Sequence, residues 1–262
     1  MADPAEPLAA TVARLRAAGC VFAEQEAALL HRETPDPSAR EDLLRRRAAG
    51  EPLEHVLVLV ELDGLRLAVA PGVFVPRQRT RFLSRPTVAA CHAAGDAPVM
   101  VEACAGVAPV ATAVARALRQ ARVHATEIDP RAAALARENL GAAGRVHGGD
   151  LLAPLPAGLR GRIDVIAAVV PYVPADELEL LPREAREAEP ALALDGGPEG
   201  LTVLARLLDQ AAEWLAPEGV LLTEIHEGQA RRASGLAERA GLAVLTHRAP
   251  DGVTAVLEAR RP

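Results

Sequence analysis

The stretch VMVEACAGVAPVATAVARALRQARVHATEIDP, residues 99–130, decides the fold because its hydrophobic period changes twice. The largely apolar run 99–103 predicts a buried strand, the helical spacing over 107–120 predicts a helix, and 122–127 predicts a second strand. Two strands separated by a helix are typical of a parallel sheet. In such sheets the carboxyl ends of the strands meet at one edge, and ligands bind there.

The same alternation continues to the end of the chain and predicts an α/β protein. Its sheet should be mostly parallel and covered by helices on both faces. The further predicted elements are helices over 130–139, 199–215 and 227–240, and strands over 145–146, 163–168, 219–224, 242–248 and 252–259.

The first 85 residues follow a different pattern. Apolar positions at helical spacing over 6–31 predict two helices divided at Gly19, and a further short helix is predicted over 38–47. Two β-rich runs surround Asp63-Gly64, a dipeptide typical of a tight hairpin turn. The predicted parts are a helical domain over 1–52, a β-hairpin linker over 53–85 and the α/β domain over 86–262.

Composition excludes several classes of function. Half of the 262 residues are apolar but only 2% are aromatic, so aliphatic side chains must fill the core. The net charge of −6 opposes a general attraction to nucleic acid or to an anionic membrane. Cys20, Cys91 and Cys104 have neither metal-binding nor disulfide spacing, so we predict no metal site. The start lacks the pattern of a signal peptide and no apolar run would span a bilayer, which predicts a cytoplasmic protein.

Acidic residues lie at or just after the ends of three successive predicted strands. Glu127 ends the second strand about twenty residues after the first turn, where nucleoside-binding folds place an acid that accepts both ribose hydroxyls. Asp150 follows the third strand and could bind an adenine amino group. Together with Glu102 these acids would repel a polyphosphate and favour a neutral or cationic nucleoside. S-adenosylmethionine, whose sulfonium is positive, fits this pattern.

Each signal also has an interpretation without a ligand. Residues 103–108 alone fit an alanine-rich strand-to-helix turn, because a phosphate-binding loop would contain more glycines. Glu127 alone fits an acid on a solvated loop. The ordered set of three acids is more specific than any one of them.

Seven segments, taken in order, resemble the class I methyltransferases that methylate the side-chain amide of glutamine in peptide-chain release factors, particularly the actinobacterial-type members. The resemblance covers nearly the whole chain. It implies a Rossmann-like seven-stranded methyltransferase sheet over 86–262, S-adenosylmethionine as cofactor and S-adenosylhomocysteine as product. The segments are EPLEHV (51–56), DGLRLAVAPGVFVPRQRT (63–80), VEACAGVAPVATAVA (101–115), EIDPRAAALARENL (127–140), GGDLLAPLP (148–156), EPALALDGGPEGL (189–201) and LLTEIHEGQA (221–230).

The resemblance also implies binding residues. Substrate contacts are implied for Phe74, Arg77, Thr80 and Glu189, although Arg77 and Thr80 also fit a role in tying the hairpin to the main domain. The implied cofactor contacts are Glu102 near the methionine portion, Ala103, Cys104 and Gly106 in the turn, Glu127 and Ile128 at the ribose, and Asp150 with Leu151 around the adenine.

The family's Asn-Pro-Pro-Tyr signature falls on Val169-Val170-Pro171-Tyr172, and the asparagine is replaced. In the family that asparagine and a backbone carbonyl accept the N–H groups of the glutamine amide, whereas Val169 cannot accept a hydrogen bond. Tyr172, the only tyrosine, is predicted to shape the substrate site, or to pack over the cofactor side of the sheet with its hydroxyl at a polar rim. His226 is either a general base or an exposed loop histidine.

Val169 and the rest of the pattern predict an S-adenosylmethionine-dependent methyltransferase-like enzyme that acts on a small molecule in a natural-product pathway. Three alternatives remain open. The fold could promote a displacement or ring closure on an adenosylmethionine-derived intermediate, or methylate protein glutamine despite the altered signature. It could also be a catalytically silent binding protein, which the altered turn at Val107-Ala108 favours and the strand-end acids oppose. A protein substrate is the less favoured partner, and neither nucleic acid nor membrane is predicted.

Overall fold

The computed structural model describes residues 7–262, so the first six residues of the predicted helical domain lie outside it. The helices are α1 (Leu8–Ala17), α2 (Ala23–Glu33), α3 (Pro37–Ala48), α4 (Leu53–Leu57), α5 (Arg81–Ala93), α6 (Pro109–Ala117), α7 (Pro130–Leu140), α8 (Arg183–Ala188), α9 (Ala191–Leu194), α10 (Thr202–Trp214) and α11 (Ala230–Arg239). The strands are β1 (Leu59–Leu62), β2 (Leu65–Ala68), β3 (Val99–Ala103), β4 (Arg122–Glu127), β5 (Gly144–Gly148), β6 (Ile163–Ala168), β7 (Leu215–His226), β8 (Ala243–Arg248) and β9 (Thr254–Arg260).

Seven strands form one sheet in the order β5-β4-β3-β6-β7-β9-β8. The pairs among β5, β4, β3, β6 and β7 are parallel, and β9 is antiparallel to both of its neighbours. Leu83, Val110 and Ala136 bring α5, α6 and α7 into the core on one face. Leu204 and Ala233 bring α10 and α11 into the core on the other face. The predicted α/β class and the covered parallel sheet are confirmed.

The hairpin forms at the dipeptide that predicted it. Strands β1 and β2 pair antiparallel with Leu62 opposite Leu65. Asp63 and Gly64 have φ values of 46° and 79°, the left-handed backbone that a two-residue turn of this kind requires. Short apolar side chains of the hairpin then pack against Val107 and Ala132 of the α/β domain.

The N-terminal helices have a small core of their own, which contains Leu15, Leu30 and Leu44. The break between α1 and α2 includes Gly19, at a φ of 87°. Within residues 7–262, no helix is both long enough and apolar enough to cross a bilayer.

Three regions differ from the sequence prediction. The first is α4, a short helix at the start of the segment predicted as the β-hairpin linker. Helix α5 was not predicted, and Pro86 lies inside it, where the missing N–H and the ring oppose helix formation. Its buried face supplies the compensation, since α5 packs against α6 and the sheet. The chain between β6 and α10 contains α8 and α9, which were also missed because each is only one or two turns long.

Asn139, the only asparagine in the chain, joins the hairpin to the α/β domain. Its Oδ1 accepts from Ala68 N at 2.7 Å, and its Nδ2 donates to Ala68 O at 3.1 Å and to Val107 O at 2.9 Å. The side chain thus pairs with both backbone groups of Ala68 as a neighbouring strand would.

Replacing Asn139 with alanine should lower the free energy of unfolding by about 1–3 kcal/mol, because partly buried backbone groups of Ala68 and Val107 lose their partners. Urea unfolding would measure this loss. The adjacent exposed Glu138→Ala is the control and should change stability by less than about 0.5 kcal/mol. Equal effects of the two substitutions would show that the side chain of Asn139 does not hold the hairpin.

Candidate active site

A cleft of about 770 Å³ opens at the carboxyl ends of the parallel strands. This is the edge at which an open parallel sheet binds ligands. Eleven of the sixteen predicted site residues line the cleft: Phe74, Arg77, Cys104, Gly106, Glu127, Ile128, Asp150, Leu151, Val169, Pro171 and Tyr172.

The turn after β3 keeps a left-handed backbone with one glycine. Cys104, Gly106 and Ala108 have φ values of 50°, 55° and 61°. Non-glycine residues in this region cost about 1–2 kcal/mol each, so the surrounding structure must impose the conformation. A Cβ on Gly106 would meet no protein atom within 4 Å, and it would occupy ligand space because Gly106 lines the cleft.

Glu127 is the acid that the turn holds in place. Its Oε2 accepts from Gly106 N at 2.6 Å and its Oε1 accepts from Asp129 N at 2.8 Å. Burial raises the pKa of this carboxyl, and the backbone hydrogen bonds oppose the rise. Each oxygen uses one acceptor site for the backbone, so further lone pairs remain for hydroxyl groups of a ligand.

Asp150 lies across the cleft, where it pairs with Arg206 of α10. Leu151 beside it is buried and has a left-handed φ of 48°. The strained backbone and the ion pair together fix the wall that follows β5.

The segment after β6 forms the opposite wall. Val169 is half-buried and lines the cleft, and the next residue, Val170, also lines it but is fully buried. Val173 pairs through its backbone with Leu194 and Gly196, which places α9 against this segment. No hydrogen-bonding side chain therefore stands at position 169, where the resemblance places the asparagine of the signature.

The Tyr172 hydroxyl accepts a hydrogen bond from Arg79, whose Nε donates to Glu224 at 3.0 Å. Sequence reasoning missed Arg79 and Glu224. Two signals could have found them. Glu224 falls at a strand end facing the ligand edge, and Arg79 belongs to the PRQRT segment that resembles the family.

Five predicted site residues do not line the cleft. Ala103 is buried in β3. The Thr80 hydroxyl donates to Glu224 at 3.1 Å. Glu189 lies behind the cleft wall, where its carboxylate accepts from Arg77 at 2.5 Å and from Val75 N at 3.1 Å. His226 is exposed and does not line the cleft, and its Nδ1 accepts from Gly228 N at 3.1 Å, which fits the predicted alternative of an exposed loop histidine.

Glu102 is the fifth of these residues. Its two oxygens accept from Val110 N at 3.2 Å and Ala111 N at 2.6 Å in the first turn of α6. The carboxyl group therefore caps the helix and does not line the cleft. The predicted position near the methionine portion of the cofactor stays a prediction.

The sequence of the chain is similar to those of known methyltransferases. A release factor glutamine methyltransferase of Geobacter sulfurreducens is 36% identical over 222 residues, which are 83% of this chain and 76% of that protein. A 4-amino-L-phenylalanine/4-methylamino-L-phenylalanine methyltransferase of Streptomyces pristinaespiralis is 37% identical over 186 residues, 69% of this chain and 63% of that protein. No model of a protein family matches the chain.

Solved structures show the same fold at low sequence identity. A methyltransferase from Pyrococcus furiosus has a TM-score of 0.54 at 18% identity and covers 86% of this chain and 98% of its own. M. jannaschii TYW2 in complex with AdoMet has a TM-score of 0.51 at 15% identity and covers 77% of this chain and 84% of its own.

Fold, site and relatives define an S-adenosylmethionine-dependent methyltransferase-like transferase. The chain belongs to the release factor glutamine methyltransferase family. The cleft fits the cofactor in two respects: Gly106 leaves space that a Cβ would fill, and Glu127 presents oriented acceptors to a ligand.

Gly200 allows the chain before α10 to approach the Tyr172 segment. Its φ is 69°, and a Cβ there would collide with the carbonyl oxygen of Tyr172. Gly241 is a matched control, because its φ is 80° but its Cβ would meet nothing within 4 Å.

We expect Gly241→Ala to cost about 1 kcal/mol from backbone strain alone. Gly200→Ala should cost about 1–3 kcal/mol more, because the clash must displace the Tyr172 segment. Denaturant unfolding of both variants measures the difference. Equal losses of unfolding free energy in the two variants would mean that the Tyr172 segment moves away from the added methyl group without a further cost.

Burial raises the pKa of Glu102 from the ordinary 4.5 to about 8. At pH values between about 4.5 and about 8, Glu102 therefore keeps a proton in the folded protein that it has lost in the unfolded chain. The contribution of Glu102 to the free energy of unfolding is complete below about pH 4.5 and is lost as the pH rises through about 8. Glu102→Gln should remove this decline, and urea unfolding across the pH range would measure it. Parallel pH profiles of the two proteins would contradict the expectation.

Proposed function

We propose that this methyltransferase acts on a small molecule that supplies its own nucleophile, instead of the side-chain amide of a release-factor glutamine. One observation carries the proposal: the cleft wall at the position of the signature asparagine is Val169, which has no hydrogen-bond acceptor. The class of reaction is shared with the family, and the difference lies in the methyl acceptor.

An amide nitrogen is a poor nucleophile, so a glutamine needs acceptors that orient both N–H groups and draw electron density onto nitrogen. Beside Val169 a glutamine would leave at least one N–H unpaired, which costs about 1–3 kcal/mol. The cost grows in the transition state, where that hydrogen bond would strengthen. An amine, whose lone pair is available without such help, avoids this cost.

The wall around Val169 supports an apolar acceptor. The cleft on this side is lined mainly by aliphatic and aromatic groups, including Phe74, Pro171, Leu181, Leu192 and Leu194. Such a surface favours an aromatic or aliphatic body, because burying apolar area stabilises the complex. The similarity to a 4-amino-L-phenylalanine methyltransferase points in the same direction, toward an aromatic amine.

The proposal also assigns roles to the residues in the half of the cleft that would hold the cofactor, which we call the cofactor half. Glu127 accepts the ribose hydroxyls, Asp150 and Leu151 frame the adenine beside Ile128, and the backbone at Cys104 and Gly106 lies against the rest of the cofactor. The bound cofactor supplies an electrophilic methyl group. Tyr172 and Val169 exclude water and hold the acceptor against this half, and S-adenosylhomocysteine is the product.

Protein glutamine methylation is the second candidate, because relatives of this family that are 33–39% identical are mostly release factor glutamine methyltransferases. Glutamine methylation would require backbone carbonyl groups alone to orient the glutamine amide, because the side chain of Val169 has no hydrogen-bond acceptor. A displacement without methyl transfer is the third candidate, and a silent binding protein is the fourth. The four candidates are separated by following the cofactor and each acceptor during the reaction and by measuring cofactor binding.

The test measures S-adenosylhomocysteine formation with 4-amino-L-phenylalanine, a panel of aliphatic and aromatic amines, and a release-factor peptide. We expect turnover of an amine, with peptide turnover at least about tenfold weaker. Val169→Asn should raise kcat/KM for the peptide by about tenfold, since it restores an acceptor. Val169→Ala is the control, because it makes room without adding an acceptor.

Efficient methylation of the peptide by the unaltered protein would overturn the proposal. Calorimetry with S-adenosylmethionine distinguishes a displacement without methyl transfer from a silent binding protein. Binding with loss of the cofactor but no methylated product indicates the displacement, and binding without any reaction indicates the silent protein.

A further inference from the structure

Glu224 at the end of β7 is buried, and each of its oxygens has a separate partner. Arg79 Nε donates to Oε1 at 3.0 Å, and the Thr80 hydroxyl donates to Oε2 at 3.1 Å. Its side chain is 2% exposed, whereas that of Arg79 is 40% exposed and reaches the cleft. Arg79 and Thr80 lie in the short 3₁₀ helix Gln78–Thr80, which leads from the hairpin linker into α5. Glu224 thus fastens the linker to the sheet.

Arg79 carries this constraint to Tyr172, whose hydroxyl also interacts directly with the Glu224 carboxylate. A second guanidinium nitrogen of Arg79 donates to the Tyr172 hydroxyl, and its Cζ lies 5.9 Å from the ring centroid. Only a planar group with several donors can bind a carboxylate and a phenol oxygen together in this way. Arg77 is the other cation near the ring, but its guanidinium is bound to Glu189.

The main chain of Tyr172 is held from the same side. Gln229 Nε2 donates to the Tyr172 carbonyl at 2.9 Å, and Gln229 follows β7 by three residues. The end of β7 therefore fixes both the backbone and the hydroxyl of Tyr172. Tyr172 belongs to the cleft wall formed by the segment after β6, which we call the acceptor wall because the methyl acceptor is proposed to bind there. The cofactor acids Glu127 and Asp150 lie at the ends of β4 and β5, and their hydrogen-bond partners are Gly106, Asp129 and Arg206 instead of the partners of Glu224.

We propose that Glu224 is a positioning residue for the methyl acceptor, which acts by orienting Arg79 and through it the Tyr172 ring. The inference rests on the proposed function in one respect: a methyl acceptor binds against Tyr172. The chemical class of that acceptor does not matter. A buried carboxylate is costly unless paired, so loss of its charge frees Arg79 and leaves the phenol without a fixed donor. Binding of the acceptor should weaken while binding of the cofactor stays the same.

The kinetic test compares Glu224→Gln with Glu258→Gln. Glu258 is on the adjacent strand β9 and also pairs with an arginine, but its partner is Arg260, which does not line the cleft, whereas the partner of Glu224 is Arg79, which does. We expect Glu224→Gln to lower kcat/KM for the acceptor by about tenfold, mainly through KM, and to leave the calorimetric affinity for S-adenosylmethionine unchanged. Glu258→Gln should change neither quantity. The acceptor used is whichever of the amine or the release-factor peptide the unaltered protein methylates.

The second measurement needs no acceptor, so it is independent of the proposed function. Tyr172 is the only tyrosine, and its ionisation can be followed directly by ultraviolet absorbance of the substrate-free protein. Burial raises its pKa, the charge of Glu224 raises it further, and Arg79 opposes both. Removing the Glu224 charge should therefore lower the pKa of Tyr172, and Glu258→Gln should not move it.

Arg79→Lys provides a second variant if Glu224→Gln does not fold. Arg79 is partly exposed, and a lysine cannot serve both partners at once, so the same selective loss of acceptor kcat/KM is expected. Glu224→Asp should restore part of the kinetics. An unchanged tyrosine titration in Glu224→Gln, or equal losses of acceptor and cofactor binding, would overturn the proposal. If no acceptor is methylated, the titration alone decides.

Discussion

Glu127 accepts a hydrogen bond from the backbone of Gly106, and this contact joins the end of β4 to the turn that follows β3. Glu102 supports the same turn from the other side by capping α6. Two buried acids therefore hold the left-handed backbone between them. This explains how Cys104 and Ala108 can occupy conformations that usually favour glycine. The conformation is imposed by partners outside the turn, so the loss of glycine at Ala108 does not abolish it.

The same arrangement shows what sequence could predict. Alternation of strands and helices predicted the sheet, and Asp63-Gly64 predicted the hairpin, because both signals are local. Strand-end position drew attention to Glu102 and Glu127 equally, but only one faces the cleft. The two acids differ in which backbone N–H groups lie within reach, and that depends on how α6 docks on the sheet. Sequence spacing contains no such information. For His226 the sequence left two alternatives open, and the structure, which carries its side chain to solvent, fits the exposed loop histidine.

The two halves of the cleft depend on the sequence in different ways. Around Glu127 and Gly106 the contacts are largely made by backbone groups, which tolerate changes of side chain. Around Val169 and Tyr172 the wall is made of side chains. Substitutions can therefore change the acceptor while the fold and the cofactor half persist. Membership of the family and a different acceptor are compatible for this reason.

The acceptor wall also includes a residue that is tied to the N-terminal helices. Arg47 of α3 is buried and bonds to Glu26 of α2 and to Glu184 of α8, and Glu184 lines the cleft. A buried arginine keeps its charge, and its five donors allow it to join three helices at once. The N-terminal helices thus reach the cleft wall indirectly, through the contact of Arg47 with Glu184, whereas Arg79 and the segment after β6 line the cleft themselves. Each of these contacts is an ion pair or a backbone pairing between neighbouring parts of the chain, so the shape of this side of the cleft depends on how those parts dock.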